Sequence, residues 1–212
     1  MAEISNRVIA SLLVFAIVIS LFGVSLILQR PIITYTGAGT TGVTNLTITS
    51  TAGINVVVPS TEFGSGTPGS GGGLTIASDN ASNGGGFRGG NDTQCTYPNA
   101  TNACPMVIEN IGNNNVTLKI NATKTNSTFI GGTGGGGPSF KFKAVDNESG
   151  SCPNSGLNGS YIEVINGSWV CSTNLTYGDS ADSIRVHFQI YLPTDTPQEL
   201  KTNTISFLYT AT

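Results

Sequence analysis

Residues 183–192, SIRVHFQIYL, alternate: Ile184, Val186, Phe188, Ile190 and Leu192 fall on one side of an extended chain, and Arg185, His187, Gln189 and Tyr191 on the other. A side-chain period of two is that of a β-strand, and five large apolar groups on one side require a core to receive them. The opposite side is wet or paired. Moving outward, short apolar or alternating runs return in 203–210 (NTISFLYT), 169–173 (WVCST), 160–165 (SYIEVI), 139–145 (SFKFKAV), 116–124 (VTLKINATK), 105–111 (PMVIENI), 74–78 (LTIAS), 54–58 (INVVV) and 43–50 (VTNLTITS). Strands this short, with no helical period between them, predict a mainly β fold: an antiparallel two-sheet β-sandwich, Ig-like or jelly-roll-like. The last two strands, joined by 193–201 (PTDTPQELK), read as a hairpin.

Between the strands lie three glycine-rich stretches, 64–73 (GSGTPGSGGG), 84–90 (GGGFRGG) and 131–137 (GGTGGGG). None is a phosphate cradle, which needs GxxxxGK[S/T] between a strand and a helix. They read as loops, either flexible or threaded between neighbouring copies where a missing side chain permits close backbone approach. Charged residues make up 10% of the chain, the net charge is −3, and only nine residues are basic, so nucleic acid is not an expected partner. No serine elbow, HExxH pair or nicotinamide fingerprint occurs. His187, the single histidine, reads as a solvated or hydrogen-bonded strand residue. No catalytic residue, metal or cofactor is therefore expected, and the chain is not read as an enzyme. Asp179 and Asp182, near Tyr177, read as turn and capping residues rather than a calcium site. Trp169 is expected in the core beside Cys171.

At the other end of the chain, residues 8–28 (VIASLLVFAIVISLFGVSLIL) form an uncharged, predominantly apolar run bracketed by Arg7 and Arg30. A helix of that length reaches about 30 Å, the thickness of a bilayer's hydrocarbon core. Residues 26–36 offer no small-x-small cleavage site, so the segment reads as retained. It is either a transmembrane helix or a packing helix at the centre of a filament. Ala16, Ser20 and Gly23, at i, i+4 and i+7, form a narrow stripe of small residues along which another helix can approach closely.

Everything after this segment reads as exported. Eleven Asn-x-Ser/Thr acceptors occur, at Asn45, Asn80, Asn91, Asn99, Asn115, Asn121, Asn126, Asn147, Asn158, Asn166 and Asn174. Random placement of the chain's 20 asparagines and 48 serines and threonines gives about four or five. That excess points to covalent N-glycans and an extracellular address, with the Met1 end of the helix on the cytoplasmic side before assembly. The four cysteines, Cys95, Cys104, Cys152 and Cys171, form an even set with no CxxC pair, so they read as disulfides. Their connectivity stays open among three pairings, of which Cys95–Cys104 with Cys152–Cys171 closes the shortest loops.

An apolar N-terminal helix, Glu3 close to the chain start and a Ser/Thr-rich β-domain bearing glycan acceptors together resemble archaeal type IV filament subunits, the pilins and archaellins of cell surfaces. The precursors of that family carry a short basic leader and a glutamate at the fifth mature position; neither stands in MAEISNRV. The resemblance implies helices bundled in a filament core with β-domains as the sheath. Residues 1–31 are then the assembly helix, 32–42 a linker and 43–212 the extracellular domain. A second type of surface fibre, in which a subunit donates a strand to its neighbour, would use residues 32–50. The expected function is a structural subunit of a pilus-like surface filament, a helical homopolymer whose partners are copies of itself, with the helix in the membrane before assembly. A membrane-anchored surface binding module or adhesin is the alternative.

Overall fold

The computed structural model describes residues 6–28, 50–69, 71–91, 101–152, 160–171 and 173–212, and on the first helix the side chains of residues 8 and 10–20. The chain divides into two units, Met1–Thr47 and Ile48–Thr212. In the first, Asn6–Leu28 is a single α-helix, α1. The expected strand 43–50 lies outside the described residues except for Ser50, which is not in a strand, and the 32–42 linker also lies outside them.

Among the described residues, the second unit holds nine strands in two antiparallel sheets. β1 (Ile54–Val58), β2 (Leu74–Ala77), β3 (Met106–Asn110), β5 (Ser139–Asp146), β6 (Ile162–Glu163) and β8 (Ser183–Leu192) make a six-stranded sheet in the order β1-β3-β8-β5-β6, with β2 also on β8. β4 (Val116–Ala122), β7 (Ser168–Trp169) and β9 (Ile205–Ala211) make a three-stranded sheet with β4 in the middle. β8 is the centre of the larger sheet. One of its edges pairs with β5 from Ile184 to Tyr191, and the other is shared end to end by β3 and β2.

The alternation read in 183–192 is what the fold uses. Ile184, Val186, Phe188, Ile190 and Leu192 are all buried, and with Phe140, Phe142 and Ala144 of β5 and Val116, Leu118 and Ile120 of β4 they belong to one hydrophobic cluster drawn from both sheets. Phe140 stacks on Phe188 with ring centroids 5.4 Å apart and meets Phe129 edge-on at 5.1 Å. Phe129 arrives on a one-turn helix, α2 (Asn126–Phe129), whose first turn is capped by Thr125, its Oγ1 accepting from Thr128 N. Burying each such side chain contributes about 1.5–3 kcal/mol.

Two expectations are corrected. β8 and β9 do not form a hairpin: β8 lies in the larger sheet and β9 pairs with β4 in the smaller one. The intervening segment is pinned to a different loop instead, because Asp195 accepts from Thr133 N and Gly134 N at 3.0 Å each. The expectation of a transmembrane helix is also not met, since no helix among the described residues is long and apolar enough to cross a membrane.

The glycine stretches pack closely at some positions, while Gly69, Gly71, Gly72, Gly136 and Gly137 face open space. Gly85, at φ +67°, exchanges a backbone hydrogen bond with Thr67, whose N–H donates to Gly85 O at 2.8 Å, and a Cβ there would collide with the Thr67 carbonyl. Gly135, at φ +69°, lets the loop close over the Tyr191 hydroxyl, which itself donates to Gly72 O.

Candidate functional site

Four consecutive residues of an α-helix point in four directions around its axis. In α1, Leu12, Leu13, Val14 and Phe15 are 62%, 63%, 60% and 64% exposed. Ile17, Val18 and Ile19 are more than half exposed as well, so among the described residues the stretch from Leu12 to Ile19 presents apolar side chains on every side of the helix. A helix of this kind is stable only when something else surrounds it. Ala16 and Ser20 are exposed with their neighbours, and Gly23 lies further along the same helix. Two members of the small-residue stripe, Ala16 and Ser20, are thus exposed among large exposed apolar side chains, while Gly23 lies beyond the residues of α1 whose exposure is described.

Two features of the asparagines of the β-unit bear on the acceptors, although Asn55, Asn102, Asn113, Asn114 and Asn203 are neither buried nor part of an acceptor triplet. Asn83 and Asn110 are buried, and their amides hold the fold together: Asn83 Nδ2 donates to Ala77 O and Arg88 O, and Asn110 Nδ2 to Asn114 O and Thr176 O. Neither belongs to an Asn-x-Ser/Thr triplet. Asn80, Asn91, Asn115, Asn121, Asn126, Asn147, Asn166 and Asn174 do, and all eight are exposed or half-buried. Asn45, Asn99 and Asn158 lie outside the described residues. Five of the eight, Asn115, Asn121, Asn126, Asn166 and Asn174, lie in or next to the strands of the smaller sheet or on α2.

Cys152 and Cys171 are joined by a disulfide, as the shortest-loop pairing has it. Cys152 follows β5 and Cys171 follows β7, so the bond ties the larger sheet to the smaller one, and both residues are buried. Cys104 is disulfide-bonded, and Cys95 lies outside the described residues.

His187 is only 1% exposed, although it stands on the side of β8 opposite the core. Its cross-strand partner on β5 is Lys143. Lys143 Nζ reaches Asp79 Oδ2 at 2.5 Å, the Tyr161 hydroxyl donates to Asp79 Oδ1 at 2.5 Å, and Nζ lies 5.0 Å from the centre of the Tyr161 ring. Burial pushes the Asp79 carboxyl up, but the hydrogen bonds from Lys143 and Tyr161, with the charges of Lys143 and His187, outweigh it and hold the group below its ordinary value. Next to Asp79, Ser78 Oγ accepts from Phe188 N at 3.0 Å and lies 3.2 Å from His187 Nδ1. Ser78 is fully buried and spent on the backbone of β8, so this serine–histidine contact locks β2 against the middle of β8. The side of β8 read as wet or paired is thus paired.

A second buried polar corner surrounds Asp182. Its N–H donates to Glu148 Oε2 at 3.0 Å and its carbonyl accepts from Asn110 N at 2.9 Å. Burial, a hydrogen bond to Glu148 and the charges of Glu148, Glu109 and Asp179 push the Asp182 carboxyl up to about 6. Asp182 is a framework residue, and no group of three or more candidate ligands that could hold a metal ion occurs among the described residues.

Trp169 is not in the core. On the two-residue strand β7 it pairs with Lys119 and faces outward, 46% exposed, with Lys119 Nζ 4.2 Å from the ring centre, while Val170 and Cys171 take the buried places. No protein family, curated protein or solved structure matches the chain.

Proposed function

We propose that the chain is a structural subunit of an extracellular surface filament that assembles through α1, with the β-unit on the outside. The observation that carries this reading is the stretch from Leu12 to Ile19 of α1, whose described side chains are apolar and exposed on every side of the helix. Water disfavours such a surface by about 25 cal/mol per Å², and packing against α1 of sister copies removes it along the whole helix at once. The Ala16, Ser20 and Gly23 stripe is the line of closest approach. We read the two sheets as the Ig-like or jelly-roll-like sandwich that forms the sheath. The sorting of asparagines supports the address: amides needed inside the fold lie outside the acceptor triplets, and the described acceptors all reach solvent.

The test is electron microscopy of surface material in which this chain is the main band. Filaments are expected, and Ala16→Asp should abolish them, because a carboxylate in a dry helix bundle costs several kcal/mol per copy. Fibres that persist in Ala16→Asp would show that α1 is not their core. Recovery of the wild-type chain only as single copies in detergent would favour the anchored binding module.

A further inference from the structure

The outward face of the smaller sheet carries two adjacent rows that run across its strands. In the first, Trp169, Lys119 and Leu208 are register partners on β7, β4 and β9, with Trp169 46% and Leu208 52% exposed. In the second, Asn121 of β4 faces Ser206 on one side, and on the other the N–H of Gly167 donates to Asn121 Oδ1 at 2.7 Å. Asn121 therefore has small neighbours on both flanks and an apolar ledge one row away. Gly167 has φ +87°, and a Cβ there would meet nothing within 4 Å, so the space above Gly167 is open, and although Lys119 Nζ lies 4.2 Å from the centre of the indole ring, Trp169 stays 46% exposed and so offers surface that Lys119 does not cover. Diagonal positions on paired strands stand roughly 7–8 Å apart, a distance that a short run of sugar rings spans.

Asn121 opens the triplet Asn121-Ala122-Thr123, and Thr123 is exposed. Its Oδ1 is fixed by Gly167, which leaves Nδ2, the atom that carries an N-linked sugar, with no acceptor among the described residues. Asn126 and Asn147 differ: their Nδ2 atoms donate to Glu163 Oε2 at 2.8 Å and to Ser183 Oγ at 3.0 Å. We infer that Asn121 carries an N-linked glycan whose proximal sugars lie across Gly167 and against the indole of Trp169. The C–H face of a pyranose ring matches an aromatic face, and covering the indole removes apolar surface from water while its N–H stays at the rim. This explains why the one tryptophan sits on a surface strand instead of in the core.

The inference rests on the glycoprotein reading above, and one experiment separates the two. Protein isolated from its own cells would be digested for glycopeptide masses, and the emission and acrylamide quenching of intact protein measured; the single tryptophan makes the signal unambiguous. Wild type should show Asn121 occupied and Trp169 shielded. Asn121→Gln, and independently Thr123→Ala, which leaves Asn121 in place, should both red-shift the emission and increase quenching. Asn166→Gln should do neither. Occupancy at Asn121 with unchanged Trp169 fluorescence in both variants would overturn the inference and leave the glycoprotein reading standing. A bare Asn121 with other sites occupied also overturns it, and absence of glycan at all eleven acceptors overturns both.

Discussion

Asp182 holds a carboxyl whose pKa, about 6, lies above its ordinary 3.8. Between those values the folded chain keeps a proton that the unfolded chain releases, so this residue makes stability fall as pH rises from about 4 to about 6, and stability stays lower above. Asp182→Asn removes the charge and keeps a donor for Glu148. It should raise unfolding free energy at pH 7 by about 1–3 kcal/mol and leave stability near pH 3 unchanged. Denaturant titrations at the two pH values would decide, and equal effects at both would refute the assignment. Asp79 has the opposite sign: its lowered pKa contributes stability above the ordinary value, lost as pH falls through the folded one. Lys143→Met should cost about 1–3 kcal/mol at pH 7 by leaving that carboxylate without its cation. A loss that is as large at pH 2 would mean packing, not charge, is responsible. His187 was placed correctly on its strand by alternation, but its burial was not legible, because its surroundings are assembled from Ser78, Lys143 and the Asp79–Tyr161 contact, far apart in sequence.

The elements themselves were largely legible, since period-two patterning reports directly on which side of a strand meets the core. Each run read as a strand from 54–58 onward overlaps a strand, although 160–165 contains only the two residues of β6 and 169–173 meets β7 at Trp169 alone. Two elements escaped. α2 is a single turn with one buried ring, too short for a helical period to show. The segment after β8 carries proline and turn residues that suit a hairpin, yet it crosses to the other sheet, and the reason is the grip of Asp195 on Thr133 and Gly134, a contact between distant loops. Trp169 was misplaced because β7 is only two residues long, and its parity is set by pairing with Lys119 rather than by any run of alternation. The disulfide joining the ends of β5 and β7 spans 19 residues, and a loop of that size contributes about 3 kcal/mol by restricting the unfolded chain. Cys152→Ala with Cys171→Ala should lower the unfolding free energy by that amount under non-reducing conditions. No difference from wild type in the oxidised state would show the bond to be dispensable to the fold.

At the scale of the whole molecule, the apolar helix and the asparagine triplets were visible from composition and spacing alone, because both are local patterns. What spacing could not supply was the arrangement of acceptors around the smaller sheet, which depends on how β4, β7 and β9 pair. The order of strands also fixes how a pulled subunit would yield. Among the described residues β1 is the first strand after α1, and it sits at the rim of its sheet, paired with β3 through a register that shifts between Val56 and Val58. Tension applied at the N-terminal side of β1 meets the hydrogen bonds of Ser50, Thr51 and Gly53 to the 111–114 turn and then β1 itself, while β8 lies between β3 and β5 and the Cys152–Cys171 bond closes its loop further downstream. Under load the β-unit would therefore surrender a short length of chain early, a slack segment that absorbs a jolt while the core stays shut.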